Sequence, residues 1–174
     1  MIHGDTLTID AFGVSDKFFP TEQEDTSRIG QIFHDNYLGP HAHLGWMDLV
    51  QLRTIIQKHN IKHIILKNLD VLGEIAEHTK EIKICNSYLY NGQVILKLPK
   101  KVDLHRCHPL YNLTKLGGWK FSNNSCTLPH RAQSFMECLL VHTKVETVAC
   151  YTNKAKFTVY RKSNGCPDLK TEKI

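Results

Sequence analysis

The chain reads as an α/β protein built on a mixed sheet with β-hairpins and two main helices. Three observations predict this. Trp46 to His59 carries Trp46, Leu49, Val50 and Ile56 at i, i+3, i+4 spacing, and Leu52 and Ile55 widen the same apolar face. Within one or two residues that helix reaches Ile61 to Leu66, a short β-branched apolar run expected as a buried strand. A helix feeding such a strand argues for an α/β layer. Finally, the strands Glu81–Tyr90 and Gln93–Leu98 are joined by Asn91-Gly92, a pair that supplies the positive φ angles of a tight hairpin.

The remaining elements follow in order. Residues 6–14 alternate as a strand, with Leu7, Ile9 and Ala11 on one face. Ser15 to Asp25 reads as a loop, Thr26 or Ser27 as the cap of a short helix around Ile29–His34, and Asn36 to Gly45 as a loop punctuated by Gly39, Pro40 and Gly45. Asp48 falls in the first turn of the 46–59 helix, where a carboxylate complements the positive helix end, and Asn60 can stop the helix. Pro99 to Thr127 is irregular, a length that in a compact domain is often functional. Pro129 to His142 is the second helix, with Pro129 suited to the first turn and Ala132, Phe135, Met136, Leu139 and Leu140 as its apolar stripe. Val145–Tyr151 and Phe157–Arg161 close the sheet, and residues 162–174 are expected as a polar tail.

The 174 residues fit one domain or part of a larger one, with 41% apolar and 22% charged residues. No apolar run reaches the roughly 18 residues a membrane span needs, so no membrane partner is expected. Met1-Ile2-His3-Gly4-Asp5 lacks a basic region followed by an apolar core, so no secretory signal is read, and a cytoplasmic location is expected. The six cysteines, Cys85, Cys107, Cys126, Cys138, Cys150 and Cys166, form no C-x-x-C pair and read as reduced thiols, with Cys85, Cys138 and Cys150 in the core. Much of the net charge of +5 lies in Lys154, Lys156, Arg161, Lys162, Lys170 and Lys173. A basic end can attract nucleic acid, but Tyr151, Phe157 and Tyr160 form no recognition motif, so a solvated tail and charged sheet edge are preferred and no nucleic-acid partner is expected.

Asp70, just past the buried strand, is the first chemical candidate. α/β proteins place ligand-reading residues at strand ends, and a carboxylate can accept from guanine N1–H and its exocyclic amine together. Lys67 and Asn68 stand beside it. A turn-forming Asp explains the same spacing. His105-Arg106-Cys107-His108, and His41 and His43 with His34, offer ligand atoms, but consecutive residues rarely converge on one ion, so surface loops are preferred and no metal site is assigned. Neither a G-x-S-x-G elbow nor a glycine-rich phosphate loop occurs.

Taken together, Gly45-Trp46-Met47-Asp48-Leu49, Leu69-Asp70-Val71-Leu72 and Glu81-Ile82-Lys83-Ile84-Cys85 resemble the C-terminal part of the adenylosuccinate synthetase family. There a G-W-[LM]-D-L helix leads to T-K-L-D-[VI]-L and then D/E-[IV]-K-[VI]. Phe19-Pro20-Thr21-Glu22-Gln23 resembles the family's F-P-T-E segment, Tyr111 with Gly118-Trp119-Lys120 its Y-x-x-L-P-G-W, and Leu128-Pro129 with Ala132-Gln133 its L-P-x-x-A-Q/R. The matches are collinear over about residues 7–161, so residues 1–161 are expected as a synthetase-like C-terminal region, a fragment of that fold. The resemblance implies that Asp70 occupies the guanine-reading position, that Asn68 stands where the family has a lysine, and that Asn153 lies in the late guanine-side turn. It also implies GTP and magnesium as family cofactors and a dimer, with itself or with a full-length synthetase. The family joins IMP and aspartate at the expense of GTP.

The departures bear on activity. The family's T-T-G-R-x-R-R-x-G-W loop is Tyr37-Leu38-Gly39-Pro40-His41-Ala42-His43-Leu44-Gly45-Trp46 here, without its arginines. Pro, Ala or His cannot replace the bidentate fork of a guanidinium. The arginine before V-G-x-G-x-F-P-T-E is Gly13, and the S/G-V-G turn is Tyr151-Thr152-Asn153. The phosphate loop, catalytic Asp and G-H-T histidine of the family's N-terminal half are not in this sequence. Each such anchor contributes on the order of ~2–4 kcal/mol to transition-state stabilisation. The expectation is a synthetase-like protein, catalytically impaired or inactive and without catalytic residues of its own, with residual weak guanine-nucleotide binding through Asp70. The alternative is a non-catalytic module that pairs with a full-length synthetase, and a third reading is an enzyme completed by a separate N-terminal chain.

Overall fold

The computed structural model of the chain describes residues 1–14, 44–79, 81–97, 106–114, 118–120, 128–152, 156–162 and 167–173. The expected helix around Ile29–His34, the Phe19–Gln23 segment, the Tyr37–His43 loop and Asn153 lie outside them.

The central sheet grows from its apolar rows. Strands β1 (Ile2–His3), β2 (Thr6–Asp10), β6 (His63–Lys67), β10 (Thr147–Thr152), β11 (Lys156–Lys162) and β12 (Pro167–Lys173) stand in the order β1-β2-β6-β10-β11-β12. The middle three are parallel, and antiparallel ribbons flank them on both sides. Register puts Leu7, Ile64 and Val148 in one row and Ile9, Leu66 and Cys150 in the next. Those rows form one face, and all but Ile9 are fully buried in the main core. The opposite face is partly solvated: Thr8, His63, Ile65 and Thr147 are half-buried there. The apolar run 61–66 therefore serves a sheet with one core face, not the strand buried on both faces that its composition predicts, because each strand alternates. Residues 167–173, read from sequence as part of the polar tail, extend this sheet as β12.

Helix α1 (Leu49–His59) connects the first layer to β6. It starts three residues later than its apolar spacing suggests, because Met47–Asp48 forms β5 and pairs with Ile84–Cys85. Asp48 is thus the N-cap and not a first-turn residue: its Oδ1 accepts from Val50 N at 2.9 Å and Gln51 N at 3.0 Å. Asn60 ends the helix in a left-handed conformation at φ 50°. Leu49, Val50, Leu52 and Ile56 are buried as the spacing predicts.

A third helix, α2 (Leu69–Thr79), follows β6 at once. The sequence reading of two main helices omits it, since Gly73 and a run of acidic residues mask its Leu69, Leu72, Ile75 and Ala76 stripe. The 118–120 segment lies across it. Trp119 Nε1 donates to the Leu69 carbonyl at 3.0 Å, and Lys120 pairs with Glu77 at 3.1 Å. Gly73 is the point of approach: a methyl group there would lie 2.6 Å from Trp119 Nε1 and nearer still to the Trp119 backbone oxygen.

Helix α3 (His130–Thr143) matches the expected second helix, with Pro129 one place earlier as N-cap. Arg131 reaches the Gly118 carbonyl at 3.0 Å, and the Trp119 ring packs on Phe135. A second sheet holds β5, β7 (Ile82–Tyr90), β8 (Gln93–Ile95) and β9 (Cys107–Thr114). Asn91 and Gly92 turn the β7–β8 hairpin with φ 48° and 76°, as their identity predicts. Strand β9 occupies part of the stretch expected to be irregular. It hides from a propensity reading because Pro109 and polar residues interrupt it, and pairing with β7 imposes it from outside. Short β3 (Gly13–Val14) and β4 (Leu44–Gly45) pair with each other.

One polar cluster ties the second sheet to helices α1 and α3. Tyr88 donates its hydroxyl to Asp48 Oδ2. Burial raises the Asp48 carboxyl above the ordinary 3.8, against the lowering effect of the Tyr88 bond, the two capping N–H groups and Arg53. Burial and the Asp48 charge push the Cys85 thiol up to about 12, so it stays protonated and unreactive at neutral pH. Arg53 donates to the His142 carbonyl at 3.0 Å and the Asn86 carbonyl at 3.2 Å, joining α1, the end of α3 and the bulge in β7.

Two predictions follow from this packing. Gly73→Ala should destabilise the fold by about 1–3 kcal/mol in denaturant unfolding, the overpacking cost exceeding the helix-propensity gain of about 1 kcal/mol. An unchanged midpoint would show that Trp119 yields freely. For Asp48, a raised folded value means that stability falls as pH rises from 3.8 through the folded pKa, since the folded state holds its proton longer. Asp48→Asn keeps a capping oxygen and removes the buried charge, so its stability relative to the parent should be greater at pH 7 than at pH 3. Asp48→Ala should follow the same pH trend relative to the parent but lie about 1 kcal/mol below Asp48→Asn through the lost cap.

Candidate functional site at the carboxyl edge of the parallel strands

The parallel strands end together. Asp10 is the last residue of β2, Lys67 the last of β6, and the two are register partners. Ala11 N donates to the Lys67 carbonyl at 2.8 Å, which holds the end of β2 against the joint that follows β6. Thr152 closes β10 on the other side of β6. Crevices at this edge are where open α/β sheets receive ligands.

Asn68 makes the joint from β6 to α2. Its φ is 56°, a left-handed backbone that Asn tolerates better than most residues, and its carbonyl accepts the first helical bond from Leu72 N at 3.1 Å. That is an N-cap position, yet the side chain does not turn onto the helix. Asn68 Nδ2 instead donates to Asp10 Oδ1 at 2.7 Å. Asp70, expected at a strand end, sits in the first turn of α2 and is half-buried. Its charge complements the positive helix end. Trp119, by taking the Leu69 carbonyl, fixes that turn from the core side.

The structure therefore brings two of the three sequence-chosen residues, Asn68 and Asp70, to one edge. The third, Asn153, lies outside the described residues, though Thr152 before it ends the neighbouring strand. Lys67 is exposed at the last strand position, facing the side opposite the core row of Leu66. Sequence reasoning missed Asp10. The available signal was a carboxylate closing an alternating strand on its non-core face.

The other chemical candidates separate. Cys107 is buried and His108 exposed on successive positions of β9, while Arg106 donates to Asn91 Oδ1 at 2.7 Å and lies 5.9 Å from the Tyr90 ring centre. That run clamps the hairpin turn. Among the described residues, no three His, Cys, Asp or Glu side chains are grouped to hold a metal ion. No helix among them is long and apolar enough to cross a membrane.

Comparison with known proteins shows the family and the fold. The family model described as adenylosuccinate synthetase matches residues 13–156. The chain is 36% identical over 124 residues to the adenylosuccinate synthetase of Chlorobaculum parvum, covering 68% of this chain and 26% of that protein. It is 39% identical over 110 residues to the one from Pelodictyon phaeoclathratiforme, covering 60% and 24%. Among solved structures, fully ligated adenylosuccinate synthetase from Plasmodium falciparum superimposes with a TM-score of 0.57 at 16% identity, over 80% of this chain and 36% of that one. That likeness shows the fold, and the chain spans about a quarter of the length of the curated relatives it matches. With a match over most of its length, this chain belongs to the adenylosuccinate synthetase family.

Proposed function

We propose that this chain binds a guanine nucleotide at the carboxyl edge of β2, β6 and β10 and does not by itself carry out the family reaction. The observation that carries the reading is the position of Asp70. It stands half-buried in the first turn of α2, beside Asn68, at the edge where sheets of this kind take ligands. A carboxylate there accepts from the N1–H and 2-amino group of guanine, a pairing that adenine lacks. Membership in a family that uses GTP supports the choice of base. Asn153, which follows the end of β10 in sequence, belongs to the same proposed site.

Chemistry on the nucleotide would need more than these residues offer. The sequence holds no phosphate loop, and the loop before Trp46 carries Pro40, His41, Ala42 and His43 where the family has arginines. Among the described residues, no group of three His, Cys, Asp or Glu side chains could hold magnesium. Cys85 is held as a neutral buried thiol and supplies no nucleophile. What this chain's residues do is bind and orient a base.

Calorimetric titration of the purified chain tests the reading. GTP should bind saturably and ATP should not, and Asp70→Ala should weaken GTP by roughly a hundredfold or more, the worth of two hydrogen bonds to a charged group at about 1.5–3 kcal/mol each. Heat that does not saturate, or an Asp70→Ala variant that binds GTP as the parent does, overturns it. Mixing the chain with IMP, aspartate and GTP should yield no adenylosuccinate. The second reading, pairing with itself or a full-length synthetase, draws on Val94 and Leu96, which stand 62% and 60% exposed on and beside β8. A full-length synthetase that fails to co-purify with the chain, together with a monomeric mass for the chain alone, removes it.

A further inference from the structure

We propose that Asp10 is a positioning residue that makes the site selective for the 6-oxo group of a bound purine by fixing the orientation of the Asn68 amide. The inference rests on the guanine-nucleotide reading of Asp70 and names a residue that reading does not use.

Register pairing of Asp10 with Lys67, and the Ala11 N bond to the Lys67 carbonyl at 2.8 Å, hold the Asp10 carboxylate beside the joint. The left-handed backbone of Asn68, φ 56°, turns its side chain away from the helix and toward β2, where Nδ2 lies 2.7 Å from Asp10 Oδ1. Only the nitrogen end of the amide can face a carboxylate, because the oxygen end would set two acceptors against each other. The bond therefore decides which way the amide is turned. It uses one of the two Nδ2 hydrogens and leaves the other N–H as a donor. Asn68 and Asp70 are both half-buried, and so remain within reach of a ligand.

Guanine presents an acceptor, O6, next to its donors N1–H and the 2-amino group. Asp70 satisfies the two donors. The acceptor then needs a neighbouring donor, and the second Nδ2 hydrogen of Asn68 is one. Without Asp10 the amide is free to rotate by half a turn and present Oδ1, which would repel O6. Asp10 does not touch the base, and its effect passes through Asn68.

The test separates the two edges of the base. GTP against ITP reads the 2-amino group at Asp70, and GTP against 6-thio-GTP, whose sulfur is a poor acceptor, reads the contact at Asn68. By calorimetry the parent chain should favour GTP over 6-thio-GTP by about tenfold, the usual worth of one well-made hydrogen bond. Asp10→Ala should lower that ratio about twofold, the cost of selecting the donating one of two amide orientations, and leave the GTP-to-ITP ratio unchanged. Asn68→Gly, which suits the left-handed backbone and removes the amide, should bring the ratio to about one, while Asp10→Asn, which still offers an acceptor, should restore part of what Asp10→Ala loses. A parent chain that binds no GTP overturns the underlying reading and this proposal with it. A parent that binds GTP through Asp70 but keeps its 6-thio-GTP ratio in Asp10→Ala overturns the role of Asp10 alone. A purely structural role for Asp10 would lower the melting temperature and weaken all three nucleotides equally, which is also a contrary result.

Discussion

Asn68 must reverse the chain from a strand into a helix in a single residue, and the arrangement of the carboxyl edge depends on its doing so. A left-handed backbone is costly for a residue with a Cβ, and Asn bears that cost better than most because its short polar side chain can bond locally. Here the local bond goes sideways to Asp10, which staples the ends of two parallel strands while the Asn68 carbonyl starts helix α2. Asp70 reaches its place only because the helix begins there. Two contacts on the core side keep it so: Trp119 on the Leu69 carbonyl, and the close approach at Gly73 that lets the indole lie on the helix.

That edge is precise because the sheet behind it is. Leu7, Ile64 and Val148, then Ile9, Leu66 and Cys150, form two rows whose burial sets the register of all three strands, and a slip of one residue would turn each row to solvent. The second sheet shares this core through Met47, Ile82 and Ile84, and polar groups fix it to helices α1 and α3. Asp48 caps α1, accepts from Tyr88 and pairs its strand with Cys85, while Arg53 gathers carbonyls from α3 and β7. A buried carboxylate is an expensive way to fix a helix start to a strand. Its cost is offset here by three donors and a nearby guanidinium, and it remains visible as a raised pKa.

Much of this was legible in the residues. Helical spacing located α1 and α3, Asn91-Gly92 located the hairpin, and the G-W-M-D and L-D-V-L runs gave the family; the role they imply for Asp70 belongs to the proposal. The misses have physical causes. β5 shortened α1 because a strand pairing from β7, distant in sequence, claimed Met47 and Asp48. Strand β9 and helix α2 were hidden by Pro109 and Gly73, residues that weaken local propensity and whose roles are set by tertiary contacts. Asp10 escaped notice because its significance lies in a register partner 57 positions away in sequence, Lys67, and in the joint beyond it. A one-dimensional pattern does not carry that kind of pairing.

On the proposed reading, the chain keeps a base-reading corner of its family's architecture, while the sequence at hand carries neither a phosphate loop nor the arginines that stand before Trp46 in the family. Its central claim concerns two side chains at one edge, so the most direct measurement observes those side chains. In amide-resolved NMR spectra of the labelled chain, addition of GTP should move the Asn68 side-chain NH2 pair and the Asp70 backbone amide together, with one saturating midpoint, while ATP leaves them in place. Shifts confined to the basic strands β11 and β12, or equal shifts with GTP and ATP, would contradict it.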